Sequence, residues 1–222
     1  CGLIDITVSR LAQRYNWHIQ PEWIVMLPGV VCGLNLSVRT FTETGQRTVA
    51  PTPIYPPFRA ASKLADREQV NLPLQLHNDR WVMDLKTEAM QGNERLLMLC
   101  NPQNPGGTVY CREELEAQLA FAQQHDLIVC SDEIHCDLVL SRDAHHIPFA
   151  ALSEDAAQRS ITLISPSKPF NIAGLGASMA IIPNAELRKR FKQVREGIVP
   201  GVDILALVAA EAAWRDGDEW LT

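Results

Sequence analysis

Short apolar runs alternate along the chain with amphipathic stretches, the pattern of βα units rather than of a β-sandwich or a helical bundle. The runs predict strands over 24–27, 47–50, 69–72, 95–100, 127–131, 160–165 and 177–182. The clearest helical pattern covers 112–125, where Leu115, Leu119 and Ala122 recur at helical spacing. Acidic residues occupy its first turn, where the helix dipole favours them. Weaker patterns predict helices over 5–15, 33–41, 57–65, 84–90, 185–196 and 202–214, with Pro56-Pro57 and Pro183-Asn184 marking starts. The stretch 166–176 is too short and too rich in helix breakers to be a crossover helix, which predicts antiparallel neighbours for the last two strands. Together these elements predict one α/β domain: a mostly parallel seven-stranded sheet with one antiparallel strand and helical extensions at both ends.

Composition narrows the function class. With 46% hydrophobic and 21% charged residues the chain has enough apolar surface for a core, which excludes global disorder. Twenty basic residues against 26 acidic ones leave a net charge of −6, and no Lys or Arg run tracks a phosphate backbone, so nucleic acid is not an expected partner. The apolar stretch 174–182 is about half of what a bilayer span requires, and no secretory leader opens the chain, which predicts a cytoplasmic protein that does not enter a membrane. The six cysteines show no C-x-x-C spacing and read as reduced, largely buried thiols. A start at Cys1 and an end at Leu221-Thr222, just after a helix-like stretch, predict a piece of a longer chain.

Four clusters follow predicted strands, where open α/β sheets bind ligands. Pro28-Gly-Val-Val-Cys-Gly-Leu34 is a Gly-bearing turn at a helix start that offers backbone N–H groups to an anion. Asn101-Pro-Gln-Asn-Pro-Gly-Gly107 is an irregular loop whose amides face a cleft, or equally a plain turn capped by Asn101. In Ser131-Asp-Glu-Ile-His-Cys-Asp137 an apolar strand runs into two carboxylates and an imidazole. Burying those acids requires a cationic or proton-donating partner, unless the loop is solvated. Ser165-Pro-Ser-Lys-Pro-Phe-Asn171 sets one Lys in a locally uncharged segment, where desolvation lowers an amine's pKa as Schiff-base chemistry requires. Gly174-Leu-Gly176 lacks the third glycine of a dinucleotide fingerprint and precedes a strand. His145-His146 has no further ligand at metal spacing without Asp143 and reads as a surface pair, so no metal is expected.

Taken in order, these clusters resemble the fold-type I pyridoxal-phosphate enzymes, the aspartate-aminotransferase superfamily. The resemblance rests on Asn101 to Gly107, Asp132-Glu-Ile134 and Ser165-Pro-Ser-Lys168. Within it the chain most resembles the MalY/PatB-type cystathionine β-lyases, through Thr52-Pro-Ile-Tyr-Pro-Pro-Phe58, the 131–138 segment, His146-Ile-Pro-Phe149 and the 165–175 segment. It spans roughly residues 24–182 and implies a three-layer α/β/α large domain over 1–200. Residues 201–222 then lead toward a small domain.

The resemblance implies that Lys168 holds pyridoxal 5'-phosphate and moves the substrate's Cα proton, and that Asp132 binds the pyridine nitrogen. By the same resemblance Asn104 donates to the phenolic oxygen, with His135 standing where typical aminotransferases carry Tyr, and Tyr55 stacks on the ring. The backbone N–H groups of Val30 and Val31 and the hydroxyls of Ser165 and Ser167 hold the phosphate. One departure is Gly176, where many members carry a phosphate-binding Arg; part of that clamp is then expected from a neighbouring subunit. The implied activity is β-elimination from cystathionine- or cysteine-type thioethers by a homodimer, with an aminotransferase as the enzyme alternative. A further alternative is that this polypeptide alone binds the cofactor poorly and turns over little.

Overall fold

The computed structural model describes residues 2–86 and 88–221; Cys1, Thr87 and Thr222 lie outside them. Its centre is a sheet of β1 (Ile24–Leu27), β2 (Arg47–Thr52), β3 (Glu68–His77), β4 (Arg80–Met83), β5 (Glu94–Cys100), β6 (Ile128–Asp132), β7 (Ser160–Ile164) and β8 (Ser178–Ile181), in the order β1-β8-β7-β6-β5-β2-β3-β4. The contiguous pairs from β7 to β3 are parallel. β8 runs antiparallel to both of its neighbours, with Thr162 opposite Ile181 and Ile164 opposite Met179. The antiparallel pairing expected for the last two strands is therefore present.

Helices cover both faces, as a sheet of consecutive buried strands requires. α2 (Val30–Phe41), α3 (Pro56–Leu64) and α6 (Ala185–Arg195) supply Leu34, Phe58 and Phe191 to one face, where they meet Leu96, Met98, Cys130 and Leu163. α4 (Arg112–Gln124) supplies Leu115, Leu119 and Ala122 to the other, against Leu97, Leu99 and Val129. Successive β5 residues thus alternate between two cores, as the strand's two-residue period dictates. α1 (Gly2–Tyr15) packs with α7 (Ile204–Asp216) over the β1–β8 edge, burying Leu3, Leu11, Trp214 and Met179. The short helices α5 (Glu154–Gln158) and α8 (Asp218–Leu221) complete the set. Local chemistry explains several helix starts. Glu114 reaches back to the Cys111 N–H at 2.8 Å, and the Asn184 and Asp203 side chains accept from the first-turn N–H groups of α6 and α7.

Two expectations are corrected. The sheet has an eighth strand, β4, joined to β3 by a turn in which Asn78 and Asp79 both adopt positive φ (49° and 60°). Asn and Asp tolerate that conformation and so close a tight hairpin, but the strand is short and its polar neighbours hide its apolar rhythm. The helix expected over 84–90 is not formed among its described residues. Instead the Asp84 N–H donates to Pro73 O at 2.9 Å, extending the hairpin, and the Gln91 and Gly92 N–H groups turn toward the Glu94 carboxylate. Such a short segment forms too few helical bonds to compete.

α2 lies close to the sheet because Gly33 faces it without a side chain. A Cβ there would come within 2.7 Å of Leu163 Cδ2 and 3.1 Å of Leu27 Cδ1, both fully buried. Gly33→Val is expected to destabilise the fold by about 1–3 kcal/mol through overpacking, read as a lower urea midpoint with unchanged slope; a midpoint equal to wild type would contradict this packing.

Candidate active site

Backbone hydrogen bonds gather the strand-end loops. The Asn101 N–H donates to Asp132 O (3.0 Å), the Tyr55 N–H to Asn104 O (3.1 Å) and the Glu133 N–H to Leu163 O (2.8 Å), so the loops after β2, β5 and β6 are registered to one another and to the end of β7. Asn101 Oδ1 accepts from the Tyr110 N–H and Gln103 Nε2 donates to Pro53 O, which pins the loop between β5 and α4. Gly107 supplies the positive φ (76°) that lets the loop turn back.

These loops enclose a cavity of about 440 Å³, lined by Val30, Val31, Tyr55, Asn104, Asp132, His135, Ser165, Ser167 and Lys168, among others. All nine residues singled out from sequence therefore meet in one place. The Cys32 and Gly33 N–H groups turn to the Gly29 carbonyl, while the Val30 and Val31 N–H groups before them lie ahead of any intrahelical acceptor, an end of α2 that suits an anion. Tyr55 sits half in solvent at the N-terminus of α3.

Asp132 is the most constrained group. It closes β6 at 3% exposure, with Oδ1 accepting the Ile134 N–H at 3.1 Å. Burial pushes its carboxyl up to about 7; the Ile134 N–H and the Lys168 charge oppose that rise, and the neighbouring Glu133 carboxylate adds to it. Burial and the Lys168 charge together hold the His135 imidazole below its ordinary range, so it is neutral near pH 7.

Three details differ from expectation. Lys168 is exposed at the mouth of the cavity, so these residues do not supply the desolvation that its uncharged flanks suggested. The Ser165 hydroxyl donates to Ala177 O (2.6 Å) and accepts the Ser167 N–H (3.0 Å); it braces the lysine turn, which leaves Ser167 as the freer hydroxyl for an anion. His146 is not on the surface: it is buried, with Nε2 2.8 Å from Glu133 Oε2. A dipeptide of histidines carries no sequence signal for which ring turns inward.

Gly176 explains the missing arginine. It adopts φ +58°, and a Cβ there would lie 2.7 Å from the Pro28 carbonyl oxygen. Any side chain at this position, on the cavity wall, displaces the turn that begins the anion-binding helix. Sequence reasoning also missed the buried α1 side chains. Arg10 bridges Asp137 (2.9 Å) and Asp218 (2.8 Å) with its guanidinium over the Phe170 and Trp214 rings, and Tyr15 donates to Asp137. Asp137 and Phe170 each lie two residues beyond a cavity residue, His135 and Lys168, so α1 supports both turns from behind.

The sequence profile of the family described as aminotransferase class I and II matches residues 7–221. The chain is 38% identical over 221 residues to cystathionine beta-lyase PatB of Bacillus subtilis (strain 168), an alignment that covers 98% of this chain and 57% of that protein. Among solved structures, OvoB superposes with a TM-score of 0.98 at 64% identity, covering 99% of this chain and 59% of that one. Cystalysin from Treponema denticola, whose crystal structure contains a pyridoxal 5'-phosphate cofactor, superposes with a TM-score of 0.94 at 32% identity, covering 99% and 57%. The chain thus spans under two thirds of the length of these relatives.

A carboxyl titrating above the ordinary Asp value of about 3.9 favours folding in its protonated form. That contribution is complete below pH ~4 and is lost as pH rises through about 7. Asp132→Asn removes the dependence. Without ligand, the variant is expected to gain on wild type by roughly 2–4 kcal/mol between pH 4 and 8, measured by thermal or urea unfolding; a constant stability difference across that range would refute the buried, proton-holding Asp132.

Proposed function

The chain belongs to the aminotransferase class I and II family, and from that premise we propose that it is the cofactor-holding part of a pyridoxal-phosphate-dependent carbon–sulfur β-lyase. The reading is that the whole protein cleaves cystathionine- or cysteine-type thioethers to a thiol, pyruvate and ammonia. It is supported by relatives named for cystathionine β-lyase activity, and it agrees with the resemblance drawn from the sequence, which implies that His135 stands where typical aminotransferases carry Tyr. The observation that carries it is the cavity itself: a buried carboxylate on the floor, a lysine at the mouth, an amide and a neutral imidazole between them, and a helix start at one end.

The donor set fits pyridoxal phosphate on physical grounds. A carboxyl that burial pushes up to about 7 is stabilised by a protonated ring nitrogen, and the α2 start suits a dianion. Tyr55 offers an aromatic face, and Asn104 and His135 offer polar atoms beside Asp132 for a phenolic oxygen. When bound, the group supplies a sink for the electron pair left by breaking the substrate's Cα–H bond, which permits departure of a sulfur substituent from Cβ. Lys168 would carry the group and take the Cα proton, for which its exposed position at the mouth leaves the amine room to swing. Asp132 would keep the ring nitrogen protonated, Val30, Val31 and Ser167 would orient the phosphate, and Ser165 holds the lysine turn in place.

Lys168 is the only Lys or Arg lining this cavity among the described residues, which is little positive charge for a dianion. The reading therefore includes a homodimer in which the neighbouring subunit completes the phosphate clamp, with residues 1–200 as the cofactor-binding unit. It also includes a cytoplasmic setting, consistent with no described helix being long and apolar enough to cross a membrane.

Addition of pyridoxal phosphate is expected to produce a visible absorbance band that borohydride fixes to the protein and that Lys168→Ala abolishes. In the full-length protein the variant should lose about 10²–10⁴-fold in activity. Pyruvate release from cystathionine is the expected reaction; amino-group transfer to a 2-oxo acid without pyruvate release would replace the lyase reading with an aminotransferase, and no fixed band in the full-length protein would remove both.

A further inference from the structure

One side chain outside the cavity holds both of the turns that carry its chemistry. His135 opens a turn closed by the Leu138 N–H on the His135 carbonyl (2.8 Å), and Lys168 opens one closed by the Asn171 N–H on the Lys168 carbonyl (3.3 Å). Asp137 and Phe170 are the third residues of these two turns, and the Arg10 guanidinium meets both. Its Nε and Nη2 donate to Asp137 Oδ2 at 3.3 and 2.9 Å, and its face lies over the Phe170 ring, 5.9 Å from the centroid. Nη1 donates to Asp218 of α8 at 2.8 Å, and the Trp214 ring of α7 lies 5.7 Å from the guanidinium carbon. The side chains of Arg10 and Asp137 are 5% and 2% exposed, so this junction is inside the protein.

We propose that Arg10 is a positioning residue: by holding the third residue of each turn, it fixes the spacing between the His135 imidazole and the Lys168 amine across the cavity. The inference rests on the pyridoxal-phosphate reading of that cavity. Both turns lie beyond the ends of β6 and β7, where sheet pairing no longer sets their places, so a cross-link is needed to relate one to the other. Arginine suits the task because its planar fork bonds carboxylates at its edge while its faces stay free for aromatic rings. Burial works against the charge, but Asp137 and Asp218 outweigh it and raise the guanidinium's pKa, so the group is a cation near neutral pH. Arg14 also reaches Asp137 (3.3 Å) and Asp218 (3.1 Å), and Tyr15 donates to Asp137. Arg10 adds to these the contact with Phe170, which joins the two turns.

The test is Arg10→Met, which keeps an unbranched stem and removes the fork, in the full-length protein freed of cofactor. Amide hydrogen exchange at Leu138 and Asn171 reads the two turns, and both are expected to exchange at least about tenfold faster than in wild type. Leu3→Ala, two turns away on the same helix, is the control for a merely structural role. It removes a fully buried side chain and lowers the urea midpoint, and it is expected to leave both turn amides at their wild-type rates. If Arg10→Met does not fold, Arg10→Lys keeps a cation for Asp137 without the fork, and Asn171 is then expected to speed up more than Leu138. With pyridoxal phosphate added, the borohydride-fixed band is expected to form about 10- to 100-fold more slowly in Arg10→Met. Wild-type exchange at either turn in Arg10→Met, or at Asn171 in Arg10→Lys, overturns the proposal. So does equal loosening of both turns by Leu3→Ala, or an unchanged rate of band formation with loosened turns. A wild-type protein that forms no fixed band overturns the functional reading instead, and exchange at the two turns then decides the bracing by itself.

Discussion

Burying a carboxylate at the end of a central β-strand is costly, and the site is organised around that cost. Asp132 reaches 3% exposure because β6 runs between β5 and β7 in a sheet covered on both faces, so the strand delivers its last side chain into the protein rather than to water. A single backbone N–H satisfies one of its oxygens. The rest of its stabilisation must come from a proton or from a cationic group, and Asp132 lines the cavity in which the proposed reading places one.

The surrounding architecture follows from holding that carboxylate at a fixed place. The parallel register of β5, β6 and β7 brings three loops to one sheet edge, and the antiparallel β8 returns the chain so that Ala177 can accept from the Ser165 hydroxyl and brace the lysine turn. Gly33 lets α2 approach closely enough for its first turn to reach the same cavity, and Gly176 adopts a conformation that leaves the Pro28 carbonyl its space. Behind the floor, Glu133 ties β6 to the 146–149 segment, and Arg10 and Tyr15 of α1 hold the turn that follows. Glu133 and Asp137 are each held by several partners, and losing one leaves a buried group less well satisfied.

Much of this was legible in the chain because its signals are local. Apolar runs of strand length, the helical spacing of Leu115, Leu119 and Ala122, and the breakers over 166–176 each report on their own neighbourhood, and each corresponds to an observed element. The four loop motifs were legible for the same reason: Pro, Gly and Asn clusters after a strand mark strand ends, and strand ends share an edge in this fold class. The β3–β4 hairpin and the lack of a helix among the described residues of 84–90 were not legible, since they depend on the Asp84 N–H finding an acceptor on β3 and on the Gln91 and Gly92 N–H groups turning to the Glu94 carboxylate.

The sequence by itself determined the fold class and seven of the strands, because periodicity and turn chemistry are properties of neighbours along the backbone, while the family resemblance carried by its loop motifs pointed to nine of the residues that line the cavity. Only the tertiary structure decided how those residues are solvated. It exposed Lys168, turned the Ser165 hydroxyl into the turn, and buried His146 against Glu133 while His145 stayed outside. It also set a second buried acid, Glu133, behind Asp132, held by Ser131, the Phe149 N–H and His146. Burial and partner choice arise from segments distant in sequence meeting in space, and the charge states that govern chemistry depend on those two quantities.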